Sequence, residues 1–158
     1  MAKLCVRSVE IGEDFTLRFD SCFSCRQVEA LAWILDSTYA ALDAYANWVG
    51  NRWPNRVRCM AKTDIVGGRK RGAGHGYTYL KQREIWLNPH MSELGLWLVF
   101  IHENLHHAFP DATENELNNV HVPEVFKIVT GKKLNMDVAR AHGLGPPEPG
   151  IGDRGYAK

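Results

Sequence analysis

Two hydrophobic periods follow one another in the first third of the chain, and each predicts a different element. The stretch FTLRFD alternates apolar with polar residues, and a short apolar run and the turn IGED precede it. We therefore expect a β-hairpin within residues 1–20. From residue 24 to residue 49 apolar side chains recur at every third or fourth position. This spacing is typical of a long amphipathic helix, which Gly50 would end.

The middle of the chain returns to strand patterns before a strongly apolar helix. Residues 57–63 alternate again, and the later stretch YTYLKQREIWLNP predicts either one long bent strand or two short ones. Ser92 is suited to cap a second helix, which we expect over residues 93–108. The run from residue 96 to residue 101 is wholly apolar, which indicates that this helix is buried.

Two short helices are predicted to follow. Thr113 with Glu116 three positions later forms a capping-box pattern, which predicts a helix over residues 114–121. Pro123 disfavours a helical conformation in the residue before it, so we expect a break and then a new helix in PEVFKIVTG.

These elements predict an α+β fold in which a small twisted sheet packs on helices. We expect one domain over residues 1–142, with the hairpin of residues 1–20 as an N-terminal extension. Residues 143–158 are rich in proline and glycine, which predicts a flexible tail.

Composition narrows the classes of function. With 158 residues, 45% of them hydrophobic and 23% charged, the chain has the make-up of one globular domain. Its net charge of +1 creates no global field that would attract nucleic acid or an anionic membrane. No stretch suits a signal peptide or a membrane span, which predicts a cytoplasmic protein with no membrane partner. The cysteines are therefore expected to be reduced thiols: Cys5, Cys22, Cys25 and Cys59.

The strongest chemical signal lies in the second predicted helix, in the stretch FIHENLHHAF. His102 and His106 are four residues apart, so they share one helix face and can offer two nitrogens to one ion. Glu103 lies about 100° around the helix and can reach a water molecule at that ion without being a ligand. The spacing H-E-x-x-H therefore predicts a Zn²⁺ site with Glu103 as general base. The alternative is a pair of histidines that are satisfied by hydrogen bonds at the edge of the core.

At this motif the chain resembles the zincin metallopeptidases. Over residues 24–129, the order of helix, strands, H-E-x-x-H helix and glutamate-bearing helix is similar to a minimal gluzincin core. The resemblance implies a zincin-like fold and a zinc-dependent peptidase that hydrolyses peptide or protein substrates. It also implies that His102, His106 and a downstream carboxylate bind the metal. The segment FPDATENEL is similar to one in small phage and bacterial gluzincin-like proteins, which suggests a phage or mobile-element origin.

The third ligand remains open at the level of sequence. We favour Glu114, because the capping box already engages Glu116; Glu116, Asp111 and His121 are the alternatives. A metzincin site is excluded, since Phe109 and Ala112 stand where that family needs glycine and histidine. His107 points away from the shared helix face and is expected to support the site from outside or to lie at the surface.

Substrate and oxyanion contacts are expected just upstream of the motif. Zincins align a peptide along an exposed strand, which here would lie within residues 76–87. His75, Tyr77 and Tyr79 are candidates for stabilising the oxyanion because each can donate a hydrogen bond.

Two further stretches suggest other chemistry. Cys22 and Cys25 form a C-x-x-C pair at a helix start, which could support redox chemistry or half of a zinc site. We interpret them as two half-buried thiols. The stretch GGRKRGAGHG, residues 67–76, predicts a flexible basic hairpin connection. The alternative function is a non-catalytic zincin-fold module that binds a host protein or nucleic acid through Arg69, Lys70 and Arg71.

Overall fold

The computed structural model describes residues 7–12, 15–46, 54–59, 65–66, 69–70, 76–79 and 81–144. The strands in these residues are β1 (Ser8–Ile11), β2 (Phe15–Phe19), β3 (Arg56–Cys59), β4 (Ile65–Val66), β5 (Arg69–Lys70), β6 (Gly76–Tyr79) and β7 (Glu84–Leu87). The helices are α1 (Cys25–Ala46), α2 (Glu93–Ala108), α3 (Glu114–Glu116), α4 (Val122–Thr130) and α5 (Met136–Ala141). A π-helical turn, Leu117–His121, connects α3 to α4.

Five of the strands form one mixed sheet in the order β1-β2-β3-β7-β6. The predicted N-terminal hairpin is confirmed as the antiparallel pair β1 and β2. β2, β3 and β7 run parallel to one another, and β6 returns antiparallel to β7. The stretch YTYLKQREIWLNP is therefore two short strands, not one bent strand. β4 and β5 pair with each other, apart from this sheet. The predicted α+β fold class is confirmed.

The sheet has one face that packs on the helices and one that does not. Leu17, Val57, Ile85 and Leu87 are fully buried in the core, and they alternate along their strands with exposed or half-buried residues. This period of two follows from the pleat of a β-strand, which sends successive side chains to opposite faces. The helix-facing side of the sheet therefore supports the helix that carries the motif.

Capping residues mark the start of both long helices, and the cap of α2 is the one predicted. Ser24 and Gln27 form reciprocal side-chain to backbone hydrogen bonds at the start of α1. The Ser92 hydroxyl accepts from the Gly95 N–H at the start of α2. Every residue from Gly95 to His106 in α2 is buried. The motif therefore lies in the interior, where each polar side chain must have a partner.

The expected break before Pro123 is wrong. Thr113 caps the helix as predicted, accepting from the Glu116 N–H. The backbone then stays helical through Val122, with φ −61° and ψ −46°, and continues into α4. The N–H of Val122 bonds to the Leu117 carbonyl, five residues earlier. This wider π-helical turn relieves the clash of a proline ring with the preceding turn, so one continuous helical segment runs to Thr130.

A short helix that the sequence patterns did not indicate closes the domain. Asn135 caps α5 by accepting from the N–H groups of Asp137 and Val138, and Leu144 beyond it is buried. Leu144 belongs to the stretch expected to be a flexible tail but packs with the core, and residues 145–158 of that stretch lie outside the described residues. Among the described residues, none of the helices has both the length and the apolar character to cross a bilayer.

The expectation of reduced cysteines is wrong. Cys22 and Cys59 form a disulfide, with their Cα atoms 6.3 Å apart. No cysteine in the described part of the chain is a free thiol. The parallel pairing of β2 with β3 brings the segment after β2 close to the end of β3, which sequence spacing does not show. Disulfides persist mainly in oxidising compartments, and the cytoplasmic location stays a prediction.

Removing the disulfide is expected to destabilise the fold. Its two cysteines are 37 residues apart, and closing a loop of that length restricts the unfolded chain by about 4 kcal/mol in the chain-entropy description. The double variant Cys22→Ser/Cys59→Ser should lower the free energy of unfolding by roughly 2–5 kcal/mol, measured by urea denaturation. If alkylation of the native, unreduced protein modified both thiols, the disulfide assignment would be wrong.

Candidate metal centre

The two motif histidines face each other across one turn of α2. Their ring centroids are 4.9 Å apart, and the ring planes cross at 76°. His102 is 5% exposed and His106 is fully buried. The predicted geometry of two imidazoles on one helix face is therefore present in the structure.

Glu114 brings a carboxylate to both rings from the start of α3. Its Oε2 lies 2.9 Å from Nε2 of His102, and its Oε1 lies 3.0 Å from Nε2 of His106. Because Thr113 caps this helix, the position of Glu114 in the first helical turn is fixed. One ligand atom from each of the three side chains lies within 4.8 Å of the others. We call this set, His102, His106 and Glu114, the His–His–Glu cluster.

The cluster could hold a metal ion. Two donor atoms that bind one tetrahedral zinc at about 2.0–2.1 Å lie roughly 3.3 Å apart, close to the two nitrogen–oxygen distances in the cluster. Two imidazole nitrogens with one carboxylate oxygen are a donor set that zinc accepts, and the same types of donor also suit other transition metals.

Asn118 determines the tautomer of His102 and so leaves the nitrogen that faces the cluster unprotonated. Its Oδ1 lies 2.8 Å from Nδ1 of His102. A carbonyl oxygen only accepts, so Nδ1 carries the hydrogen and donates it. The lone pair of the neutral ring is then on Nε2, which points at Glu114. A hydrogen-bonded outer partner of this kind orients a metal-binding histidine and fixes its tautomer.

Replacing Asn118 with alanine is expected to weaken metal binding without removing a ligand. Loss of an outer partner typically costs 10–100-fold in metal affinity, whereas Asn118→Asp retains the acceptor and should bind nearly as well as the parent. The control is Asn119→Ala, because Asn119 is exposed and bonds only to Asn115 among the contacts described. Competition with a chromophoric chelator measures the affinities. Equal zinc affinity for Asn118→Ala and the parent would contradict a positioning role.

Glu103 lies beside the cluster but outside the donor set. Its Oε1 is 3.9 Å from Nε2 of His102, and the side chain is 1% exposed. The backbone of β6 borders it: a Cβ atom added at Gly76 would lie 2.8 Å from Cγ of Glu103. The Thr78 hydroxyl donates to the Glu103 backbone carbonyl at 3.1 Å. β6 thus holds the motif glutamate in position from the sheet side.

The charges in this buried region favour a cation. Burial by itself would lower the pKa of His102, but the hydrogen bond to Glu114 and the charges of Glu114 and Glu103 raise that pKa above its usual value. Burial would raise the pKa of Glu114, but both imidazoles hold it well below its usual range. Two buried carboxylates need compensating charge. One divalent cation supplies it while both imidazoles stay neutral.

Comparison with known proteins gives no match. No family model fits the chain, and no curated protein or solved structure is similar to it. The structure therefore supports a His–His–Glu cluster that could hold a metal ion, and the resemblance to zincins stays a prediction from the motif.

The other candidates for the third ligand lie elsewhere. Glu116 is exposed and accepts from the Thr113 hydroxyl in the capping box, and Asp111 is exposed in the turn before it. Nδ1 of His121 lies 2.7 Å from the Tyr45 hydroxyl, and its ring stacks on Phe109 with centroids 4.5 Å apart. Of the four candidates, only Glu114 is part of the His–His–Glu cluster.

His107 supports α2 from the sheet side. It hydrogen-bonds to the Glu84 backbone, and burial lowers its pKa to about 3, with help from His106 and Arg83. The neutral ring therefore ties the end of α2 to β7.

Of the oxyanion candidates, His75 and the side chains of Tyr77 and Tyr79 lie outside the described residues.

Asn118, Gly76 and Thr78 are residues of this region that sequence reasoning missed. Asn118 follows Glu114 by four positions, so the sequence does place the two on one helix face. An asparagine at that spacing is nevertheless common, and nothing in it points to His102. For Gly76 and Thr78 no signal exists, because their contact with α2 arises only when the sheet packs on the helix.

Proposed function

We propose that the protein is a zinc-dependent peptidase, with the H-E-x-x-H helix and Glu114 forming the metal site. One observation carries the proposal: the facing atoms of His102, His106 and Glu114 converge, and the carboxylate of Glu103 lies beside them without joining them. A purely structural cluster would need no second buried carboxylate at that place, since each added buried charge costs free energy.

The residues divide into ligands and a base. His102, His106 and Glu114 would hold the ion, and Asn118 would orient His102. A zinc ion with three protein ligands keeps one position for water, lowers the pKa of that water to roughly 7 and polarises the substrate carbonyl. Oε1 of Glu103 accepts a proton from the attacking water and returns it to the nitrogen of the leaving amine.

The position of β6 suggests how a peptide is aligned. Among the strands that the structure describes, β6 is the last in the order of the sheet, and Gly76 at its start borders Glu103. A peptide that pairs with β6 as an added strand would pass close to the His–His–Glu cluster, and its main chain would supply most of the binding contacts. β6 lies within residues 76–87, where the sequence led us to expect the substrate strand, and that expectation stays a prediction.

Replacing Gly76 with alanine is expected to reduce activity while the metal stays bound. The new Cβ would lie 2.7 Å from Cγ1 of Val99 and 2.8 Å from Cγ of Glu103, so the Glu103 side chain must shift. A displacement of about 1 Å can cost roughly 10²-fold in rate. Zinc content and kcat on one peptide substrate measure the effect.

The matched control is Gly131→Ala. Its added methyl meets no atom within 4 Å, although Gly131 has a φ of +73° that strains any other residue. This variant should lose some stability and retain its turnover. Full activity of Gly76→Ala would show that the contact between β6 and Glu103 does not position the base.

The proposal is tested with the full-length, zinc-loaded protein and a mixture of unmodified peptides. Mass spectrometry should detect new peptide termini, the cleavage should stop when a chelator removes the metal, and added zinc should restore it. If the protein binds stoichiometric zinc and cleaves no peptide, the peptidase proposal fails. The alternative, a non-catalytic binding module, would then be favoured.

A further inference from the structure

Three described cysteines lie at one corner of the sheet. Cys22 is exposed in the turn after β2, Cys25 is the first residue of α1, and Cys59 ends β3. The Cα atoms of Cys22 and Cys59 are 6.3 Å apart, and their sulfur atoms are bonded. Cys25 follows Cys22 by three positions, a spacing at which two cysteines commonly bind one zinc ion. The fold thus brings a third cysteine to a pair that the sequence already offers as half of a metal site.

The redox state of these cysteines decides what the corner can bind. Cys22 and Cys59 form a disulfide, and Cys25 is disulfide-bonded as well. The thiolate is the form of cysteine that binds metal, so in this oxidised state the sulfur atoms offer no site. The His–His–Glu cluster is then the group among the described residues that could hold an ion. A reducing compartment keeps cysteines as thiols, which converts the same side chains into metal donors.

The separation of Cys22 and Cys59 suits a shared ion as well as a disulfide. Sulfur ligands bind zinc at about 2.3 Å, so two of them in a tetrahedral site lie roughly 3.8 Å apart. The S–S bond of a disulfide is about 2.0 Å long. Opening the bond and inserting an ion therefore moves the two sulfur atoms apart by less than about 2 Å. Rotation of the side chains supplies this movement, and the pairing of β2 with β3 is retained.

The surroundings of the C-x-x-C pair favour thiolates. Nε of Arg7 donates to the carbonyl of Phe23 at 3.2 Å, which places a guanidinium beside the segment that joins Cys22 to Cys25. Cys25 lies in the first turn of α1, a helix of 22 residues whose first turn contains no acidic residue. The N-terminus of a helix attracts negative charge. Both features stabilise a thiolate over a thiol at this corner.

We infer that Cys22, Cys25 and Cys59 form a second metal site, which holds a zinc ion when the cysteines are reduced. Each disulfide takes up two electrons and two protons from a dithiol reductant, which becomes a disulfide itself. Zn²⁺ then replaces the three thiol protons, which pass to solvent, and forms three Zn–S bonds. Water or a further side chain takes the fourth tetrahedral position.

The donor set indicates the class of metal and the role of the site. Thiolates are soft ligands that select zinc over magnesium and calcium. The ion would connect the start of α1 to the end of β3, which is the connection that the disulfide makes in the oxidised protein. The corner is thus cross-linked in either redox state. The site shares no residue with the His–His–Glu cluster, so the inference does not depend on the proposed peptidase function.

The inference is tested with full-length His102→Ala, which lacks a ligand of the His–His–Glu cluster. One sample is reduced with a dithiol, freed of it without air and loaded with Co²⁺ or Zn²⁺, and a second sample stays oxidised. Cobalt bound to thiolates has an intense sulfur-to-metal charge-transfer absorption, which nitrogen and oxygen ligands do not produce. X-ray absorption at the zinc edge counts the sulfur neighbours at about 2.3 Å.

We expect the reduced His102→Ala protein to bind one ion per chain through sulfur and the oxidised protein to bind none. Adding Cys22→Ser or Cys25→Ser should weaken binding by more than the roughly 100-fold that loss of an outer partner causes. The control is Ser21→Ala, an exposed neighbour in the same turn, which should keep the ion. If His102→Ala does not fold, the parent decides, because its reduced form should bind one ion more than its oxidised form. The zinc contents expected for the other variants refer to the oxidised protein.

The sulfur count and the charge-transfer band decide the outcome. Three or four sulfur neighbours support the inference, and two or fewer overturn it. Absence of the band from the reduced protein, or an undiminished band in Cys25→Ser, also overturns it. Recovery of iron with inorganic sulfide in place of zinc would overturn the assignment of the metal. None of these results bears on the peptidase proposal, whose ligands are different residues.

Discussion

Replacing Glu114 with alanine is expected to abolish stoichiometric zinc binding, while replacing Glu116 with alanine leaves it intact. Glu114 presents its two carboxylate oxygens at 2.9 and 3.0 Å from the two imidazole nitrogens, so its removal takes away a ligand. The loss of affinity should exceed the roughly 10–100-fold that follows removal of an outer partner. His102→Ala and His106→Ala should lose zinc in the same way.

Glu116→Ala is a matched control because it removes the same side chain two residues away on the same helix. Glu116 shares the capping box with Thr113, so this variant should lose about 1 kcal/mol of stability and no zinc. Elemental analysis of the purified proteins gives the stoichiometry, and an anomalous-scattering map at the zinc edge identifies the ligands. Full zinc occupancy in His102→Ala or His106→Ala, or a greater loss in Glu116→Ala than in Glu114→Ala, would refute this ligand set.

Glu103→Gln is expected to stop peptide hydrolysis while the metal and the fold remain. The amide has nearly the shape of the carboxylate but cannot accept the proton of the attacking water. General base catalysis typically contributes 10²–10⁴-fold to the rate, so kcat should fall by at least about 10²-fold. Zinc content should stay at one ion per chain, because Glu103 lies 3.9 Å from Nε2 of His102, outside the donor set.

The control for this variant is Glu116→Gln, which makes the same chemical change at an exposed position. It should retain both zinc and turnover. Thermal unfolding with and without zinc separates a catalytic effect from a folding defect in Glu103→Gln. Retention of more than about a tenth of the parent rate by Glu103→Gln, with zinc bound, would show that Glu103 is not the base.

The His–His–Glu cluster illustrates how two levels of structure supply one site. Helix periodicity alone places His102 and His106 on the same face of α2, and the structure has them there. The third group comes from another helix, whose approach depends on the turn at Pro110 and on the Thr113 cap. The sequence favoured Glu114 as the third ligand because the capping box already uses Glu116. Of the candidate third ligands, the structure places only Glu114 in the cluster.

The expectations that proved wrong depended on contacts between segments distant in the chain or on packing of the helical segment. The cysteines were expected to be reduced, yet β2 and β3 pair in parallel and bring Cys22 to Cys59. The helix was expected to break before Pro123, yet the π-helical turn accommodates the proline. Local preferences of about a kcal/mol are smaller than the gain from burying apolar side chains such as Leu117, Val122 and Val125, so packing decides such cases.

The sequence by itself determined the α+β class, the N-terminal hairpin, both ends of α2 and the pairing of His102 with His106. These features depend on local periods and capping residues, which act over a few neighbouring positions. The tertiary structure alone decided that Glu114 faces both imidazoles, that Asn118 orients His102, and that Gly76 of β6 borders Glu103. Those contacts join elements that are distant in the chain, and their distances follow from how a sheet and its helices bury a common core.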